Sequence, residues 1–443
     1  MFSLSVTRPA TRLWLLLPVF ALASCGGNDT GAIITVPNSV VVADLRNLGV
    51  LDIVLASAQI DETGLTQPPG LLDVILNSTA TPGDFGAGVT YQSSGSPPSG
   101  LAVGDLTGNG SKDMVVANIT AGTLSVFMET SPTSGAYSAA TTITVGGQPN
   151  DVQIADINGD GLPDLIVADN LGKVTYLLQN PASPGTFETG VSLPITNPTI
   201  TAEGSGAYTR AISVAVGDLN GDGLPDLAVT SFDTNGDYGQ VTLYFQDPAH
   251  PGTFLTTPTV FSTYCEPTQI RIADVNKDGA NDMVVACQGA SLDADPEGAI
   301  DGNPLGQVAV AESLYGAMVI LQTPGSLGSF PAPNVYPTVQ GALSLAVADL
   351  NMDGWPDIAM TSLSPEGGGT IATLMQDPTN PGTFIDLATY TGEGQPSSIV
   401  IGDVNNDGLP DLVTADSTTA VWYTNSSSAP GTFGSEGQVG FTN

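Results

Sequence analysis

An all-β ring of seven four-stranded blades, a β-propeller, is the fold class this chain predicts, and three observations predict it. An aspartate loop of the pattern D-x-N-x-D-G-x-x-D recurs along the sequence, each copy followed by a short apolar run. A tight turn of the type P-G-T-F, or a looser version of it, follows each loop. Between them lie short alternating or β-branched runs, and helical periodicity is absent beyond the first residues.

The 443-residue chain opens on a processing segment, residues 1–24. Arg8 and Arg12 supply a basic start, and residues 13–23 (LWLLLPVFALA) are an apolar stretch too short to span a bilayer. The segment ends in Leu22-Ala23-Ser24-Cys25, which resembles the lipobox of bacterial lipoproteins. The resemblance implies lipidation of Cys25, cleavage before it, and residues 25–32 as a short tether. Gly26 in place of Asp then implies the outer membrane or cell surface. Ordinary secretory cleavage, leaving Cys25 free, is the alternative.

Residues 33–443 hold the repeats. Full loops begin at Asp156, Asp218, Asp274, Asp349 and Asp403, and weaker copies begin at Asp44 and Asp105. Each repeat has one layout. An alternating first strand (residues 149–154, PNDVQI) leads into the loop. An apolar second strand (residues 165–168) and a third with aromatic and β-branched residues (residues 174–178, VTYLL) follow. The turn comes next, at Pro184–Phe187, Pro251–Phe254, Pro381–Phe384 and Pro430–Phe433. Looser versions stand at Pro82–Phe85, Pro132–Tyr137 and Pro324–Phe330. Pro presets one backbone angle and Gly supplies a positive one, so the chain reverses tightly. The aromatic that ends the turn is expected in the core between blades. A fourth strand leads to the next repeat. Ring closure is expected from Phe433–Phe441 near the strand at Ile33–Val36.

The loop D-x-N-x-D-G-x-P-D-L-x-V, an upstream Gly-x-x-Pro such as Gly146–Pro149, and the G-T-F turn together resemble the FG-GAP/VCBS repeat family. Its members include the seven-bladed head of integrin α chains. The resemblance spans nearly all of the chain after the leader and implies the propeller fold. Fold alone does not carry function across.

The loops carry the strongest chemistry in the sequence, which is binding of a hard divalent cation. Calcium takes six to eight oxygens at about 2.3–2.6 Å. Side chains at positions 1, 3 and 5 of a tight loop point inward, Gly at 6 permits the bend, and a carbonyl at 7 and a carboxylate at 9 complete the set. The five sets are Asp156, Asn158, Asp160, Leu162 and Asp164; Asp218, Asn220, Asp222, Leu224 and Asp226; Asp274, Asn276, Asp278, Ala280 and Asp282; Asp349, Asn351, Asp353, Trp355 and Asp357; and Asp403, Asn405, Asp407, Leu409 and Asp411. About five Ca2+ ions are the expected cofactors. An EF-hand needs Glu at position 12 and flanking helices; Val167 stands there and the flanks read as strands. The bland alternative is turn chemistry alone, since Asp, Asn and Gly favour turns. Asp105, Thr107, Asn109 and Asp113 form a weaker site with one carboxylate fewer. In the first loop Arg46 and Leu48 replace two ligands, and no metal is expected there.

Composition limits the partners. Asp and Glu number 44 against 8 Lys and Arg, a formal charge of −36. This argues against nucleic acid and against attraction to anionic lipid, so the membrane is reached through the N-terminal lipid only. Cys265 and Cys287 are expected to form a disulfide in an oxidising compartment, with two separate thiols as the alternative. Asp233, Asn235 and Asp237 repeat D-x-N-x-D as an extra metal loop or an acidic hairpin tip. The Gly/Asp-rich insertion over 287–306 is either a recognition loop or a solvated one.

No catalytic constellation stands out. His250, the single histidine, precedes a P-G-T-F turn, where other repeats have Ser183, Asn380 and Ala429. Motifs for a serine nucleophile, a zinc cluster or a phosphate loop are missing. The expectation is a monomeric, non-enzymatic surface binding or adhesion module for a protein or glycan. A polysaccharide lyase or hydrolase built on paired acids, and a purely structural surface lipoprotein, are the alternatives.

Overall fold

The computed structural model describes residues 33–440 apart from 62–67, 196–208, 234–238, 264, 291–315, 324, 339–340, 364–367 and 393. The leader and Cys25, most of the insertion, and the 234–238 tip lie outside the described residues. Every regular element described is a strand, and the strands form seven antiparallel sheets of four. The blades span residues 33–92, 98–144, 149–194, 209–262, 265–337, 342–391 and 398–440. In blade 3, for example, Pro149–Ala155, Asp164–Asp169, Lys173–Leu177 and Val191–Pro194 pair in sequence order. First strands of neighbouring blades touch one another, so they ring the axis and the fourth strands form the rim.

The second strand explains its own sequence. Asp113–Asn118, Asp164–Asp169 and Asp411–Asp416 are buried at every residue. A strand covered on both faces must be apolar without alternation. The core is correspondingly divided. Among the described residues seven hydrophobic clusters form, one between each pair of adjacent blades. The turn aromatics occupy these clusters, as expected. Phe254 meets Tyr176 of the preceding blade, Phe330 meets Phe261, Phe384 meets Tyr336 and Phe433 meets Tyr390, all edge to face.

Around the axis, side chains of the first strands bond the backbone of the next blade. Asn38 Nδ2 donates to Pro98 O (2.7 Å), Ser99 Oγ to Pro149 O (2.9 Å) and Thr268 Oγ1 to Ala342 O (3.0 Å). Ser397 Oγ donates to Pro37 O (3.1 Å), so blade 7 meets blade 1 by the same device. This corrects the expected closure. The last strand, Phe433–Gly440, is the outer strand of blade 7, whereas Ile33–Ala43 is the inner strand of blade 1. The two share no sheet. Closure instead uses the inner strands, Asn77 bonded to Val404 O (2.7 Å), and Phe85 packed on Trp422 at 4.8 Å between ring centroids. Every blade is completed from its own repeat, so the seam between first and last blades needs only the contacts used elsewhere.

Cys265 and Cys287 are joined by a disulfide, with Cα atoms 5.7 Å apart. It links the first two strands of blade 5, Cys265–Ala273 and Asp282–Ala290, beside the start of the long connector.

Candidate metal centre

The aspartate loops join first to second strands, so all seven emerge at one end of the ring. Their backbones are alike whatever their side chains. Position 4 is left-handed in every copy: Asn47, Gly108, Gly159, Gly221, Lys277, Met352 and Asn406 have φ from 53 to 75°. Position 6 is always glycine, with φ of 76 to 91°. A Cβ on Gly161, Gly223 or Gly408 would meet nothing within 4 Å, so conformation alone demands glycine there.

The third blade shows how the oxygens are placed. Asp156 accepts N–H bonds from Gly159 (2.7 Å) and Gly161 (2.8 Å), which fold its carboxylate over the loop. Asn158 Oδ1 accepts from Asp160 N (2.9 Å), and Asp160 Oδ1 accepts from Leu162 N (2.8 Å). Asn158 Nδ2 reaches Asp160 Oδ2 at 3.1 Å. Loops 4 to 7 repeat this Asn-to-Asp bond at Asn220, Asn276, Asn351 and Asn405.

Position 9 has a second task. Asp164 is fully buried; its Oδ2 accepts from Ile157 N (3.0 Å) and its Oδ1 from Gln179 N (2.7 Å). It thereby pins the start of the loop to the exit of the third strand. Asp226, Asp282, Asp357 and Asp411 do the same. Burial pushes each of the five up to about 6, opposed by these N–H bonds; repulsion from the loop's other aspartates adds to the rise.

Blade 1 tests whether a cation fits. Arg46 at position 3 sends Nη2 to Asp52 Oδ1 (2.7 Å) and to Asn77 O (2.5 Å), and Nε to Asp52 Oδ2 (3.2 Å). Asp52 is the position-9 acid of that loop. The guanidinium brings a positive charge to the position-9 carboxylate of its loop. Each carboxylate oxygen that accepts one N–H keeps a further lone pair. The residues of loops 3 to 7 therefore fit a divalent ion. Among the described residues no group of three or more Asp, Glu, His or Cys is gathered to hold a metal alone, so Asn and carbonyl oxygens would have to complete the set. Calcium would supply charge neutralisation to these acidic loops, of which only that of blade 5 holds a basic residue, Lys277. In blade 2, Asp105 and Asn109 keep the turn bonds, to Gly110 N and Ser111 N, and Asp113 is the buried strut.

One set of residues escaped the sequence reading. Asn77, Glu129, Gln179, Gln246, Gln322, Gln376 and Asn425 stand at the end of the third strands or just beyond it, and all are buried. Gln376 is representative. Nε2 donates to Pro356 O in its own loop (2.6 Å) and to Val275 O in the preceding blade (2.9 Å), while Oε1 accepts from Gly382 N of its own turn (2.7 Å). The signal was present: each residue stands six before its turn glycine. It is hidden because Asn, Gln and Glu interchange there. His250 is exposed and bonds Asp247 (2.8 Å), within its turn.

A seven-bladed propeller with an aspartate loop on every blade is the class that fold and site define. Residues 105–167, 156–229 and 218–285 match the FG-GAP-like repeat, each from one loop to the strand after the next. Together with the seven-bladed ring, these repeats support an FG-GAP repeat propeller. No curated protein matches the chain.

Proposed function

We propose that this FG-GAP propeller is an exported, calcium-binding surface module that binds a protein or a glycan. The fold itself supports a generic surface or binding module. The observation that carries the finer reading is the contrast between the two ends of the ring. At one end, seven aspartate loops share one conformation. At the other, connectors from second to third strands differ widely in length: residues 417–418 in blade 7, 119–122 in blade 2 and 291–315 in blade 5. A uniform end suits a structural cation, and a variable end on a rigid scaffold suits recognition. The net charge of −36 favours partners that are neutral or basic.

Glycan and protein arrays probed with the full chain, with calcium and with chelator, test the binding role. Calcium-dependent binding to one class is expected. Absence of binding under both conditions, or release of new reducing or unsaturated ends from a polysaccharide, would refute it. Lipidation of Cys25 is tested by Cys25→Ser, which should move the protein from the membrane pellet to the soluble fraction.

A further inference from the structure

Each blade's turn rests on the aspartate loop of the blade before it. A Cβ on Gly252 of blade 4 would stand 2.7 Å from Asn158 Cβ of blade 3. The same relation pairs Gly382 with Asn276 (3.3 Å), Gly431 with Asn351 (3.1 Å) and Gly83 of blade 1 with Asn405 of blade 7 (3.3 Å). In all of them the residue underneath is position 3 of the loop, an expected cation ligand. The buried amides strengthen the crossing. Gln322 donates to Leu219 O (2.7 Å), Asn425 to Leu350 O (2.7 Å) and Asn77 to Val404 O (2.7 Å), each carbonyl at position 2 of the preceding loop. Blade 2 continues the series without a ligand: a Cβ on Gly135 would lie 3.4 Å from Arg46 Cγ.

We infer that the loops are fasteners between blades: a cation held in one loop orders the turn of the next blade, and Arg46 is the resident cation that does this for blades 1 and 2. The metal half rests on the calcium reading above; the Arg46 half does not. A cation that fixes positions 1, 3 and 5 fixes the shelf on which the next turn sits, so order passes forward by one blade. Arg46 fixes position 3 by its bonds to Asp52 and Asn77 O and needs no metal.

Hydrogen exchange resolved to peptides, on the full chain with calcium and with chelator, tests both halves. Chelation should speed exchange at least threefold in the turns around Gly83, Gly252, Gly382 and Gly431, and leave the turn around Gly135 unchanged. Asp407→Ala in blade 7 should deprotect the Gly83 turn of blade 1 while its own Gly431 turn stays as in the wild type. Arg46→Met should deprotect the Gly135 turn equally with and without calcium. If that variant does not fold, Arg46→Lys, which keeps the charge and loses the fork, should give intermediate protection. A wild type that takes up no calcium by titration calorimetry refutes the metal reading and leaves Arg46 standing. Calcium uptake with deprotection confined to the mutated blade overturns the forward coupling. A Gly135 turn unaffected by either Arg46 variant overturns the resident cation.

Discussion

Gln376→Met removes the polar atoms of one buried amide while nearly keeping its volume. Gln376 is 2% exposed, so water cannot replace what it bonds. The change strands two carbonyls, Pro356 O and Val275 O, and the Gly382 N–H. Leaving a buried polar group unsatisfied costs about 1–3 kcal/mol, so three give roughly 3–6 kcal/mol after some relaxation. That is a large part of the ~5–15 kcal/mol typical of a folded domain. Urea unfolding in chelator, followed by fluorescence and circular dichroism, reads the loss free of any metal effect. Gln376→Glu should be destabilised at neutral pH and recover on acidification, since only the protonated acid can donate to a carbonyl. A loss below about 1 kcal/mol for Gln376→Met would refute the role given to the amide.

Three more outcomes are expected. Asp73 is buried between strands, holds Thr90, and burial raises it from 3.8 to about 6. A raised acid stabilises the fold while protonated, so its contribution is present below its unfolded pKa and lost as pH climbs from about 4 to 6, worth on the order of 3 kcal/mol. Asp73→Asn should flatten that part of the stability profile, measured against wild type; an unchanged slope sinks the assignment. Replacing Cys265 and Cys287 together by Ser opens a link between residues 22 apart and should cost about 3 kcal/mol in thermal or denaturant unfolding. Asp160→Ala should lower calcium stoichiometry by one and reduce Tm in calcium but hardly in chelator, and an unaltered stoichiometry contradicts the ligand set.

Much of this molecule is legible in its sequence because a propeller repeats its local chemistry. The number of blades follows from counting loops, since each loop is a self-contained turn whose Asp, Asn and Gly bond their own backbone. The departure of the first loop from the pattern is equally local, as Arg46 and Leu48 stand inside it. The turn aromatics could be assigned to the core for the same reason. What the tertiary structure decided is every contact that crosses a blade boundary. Asn158 and Gly252, or Gln376 and Val275, are distant in sequence, and repeat periodicity orders residues within a blade without showing which neighbour they face. The second task of Asp164 was hidden because its partners, Ile157 N and Gln179 N, are backbone atoms that any residue provides. Closure was misjudged on the same ground. Edge-strand logic favoured pairing the chain ends, but seven complete blades leave no strand to exchange, and packing of side chains between whole sheets closes the ring.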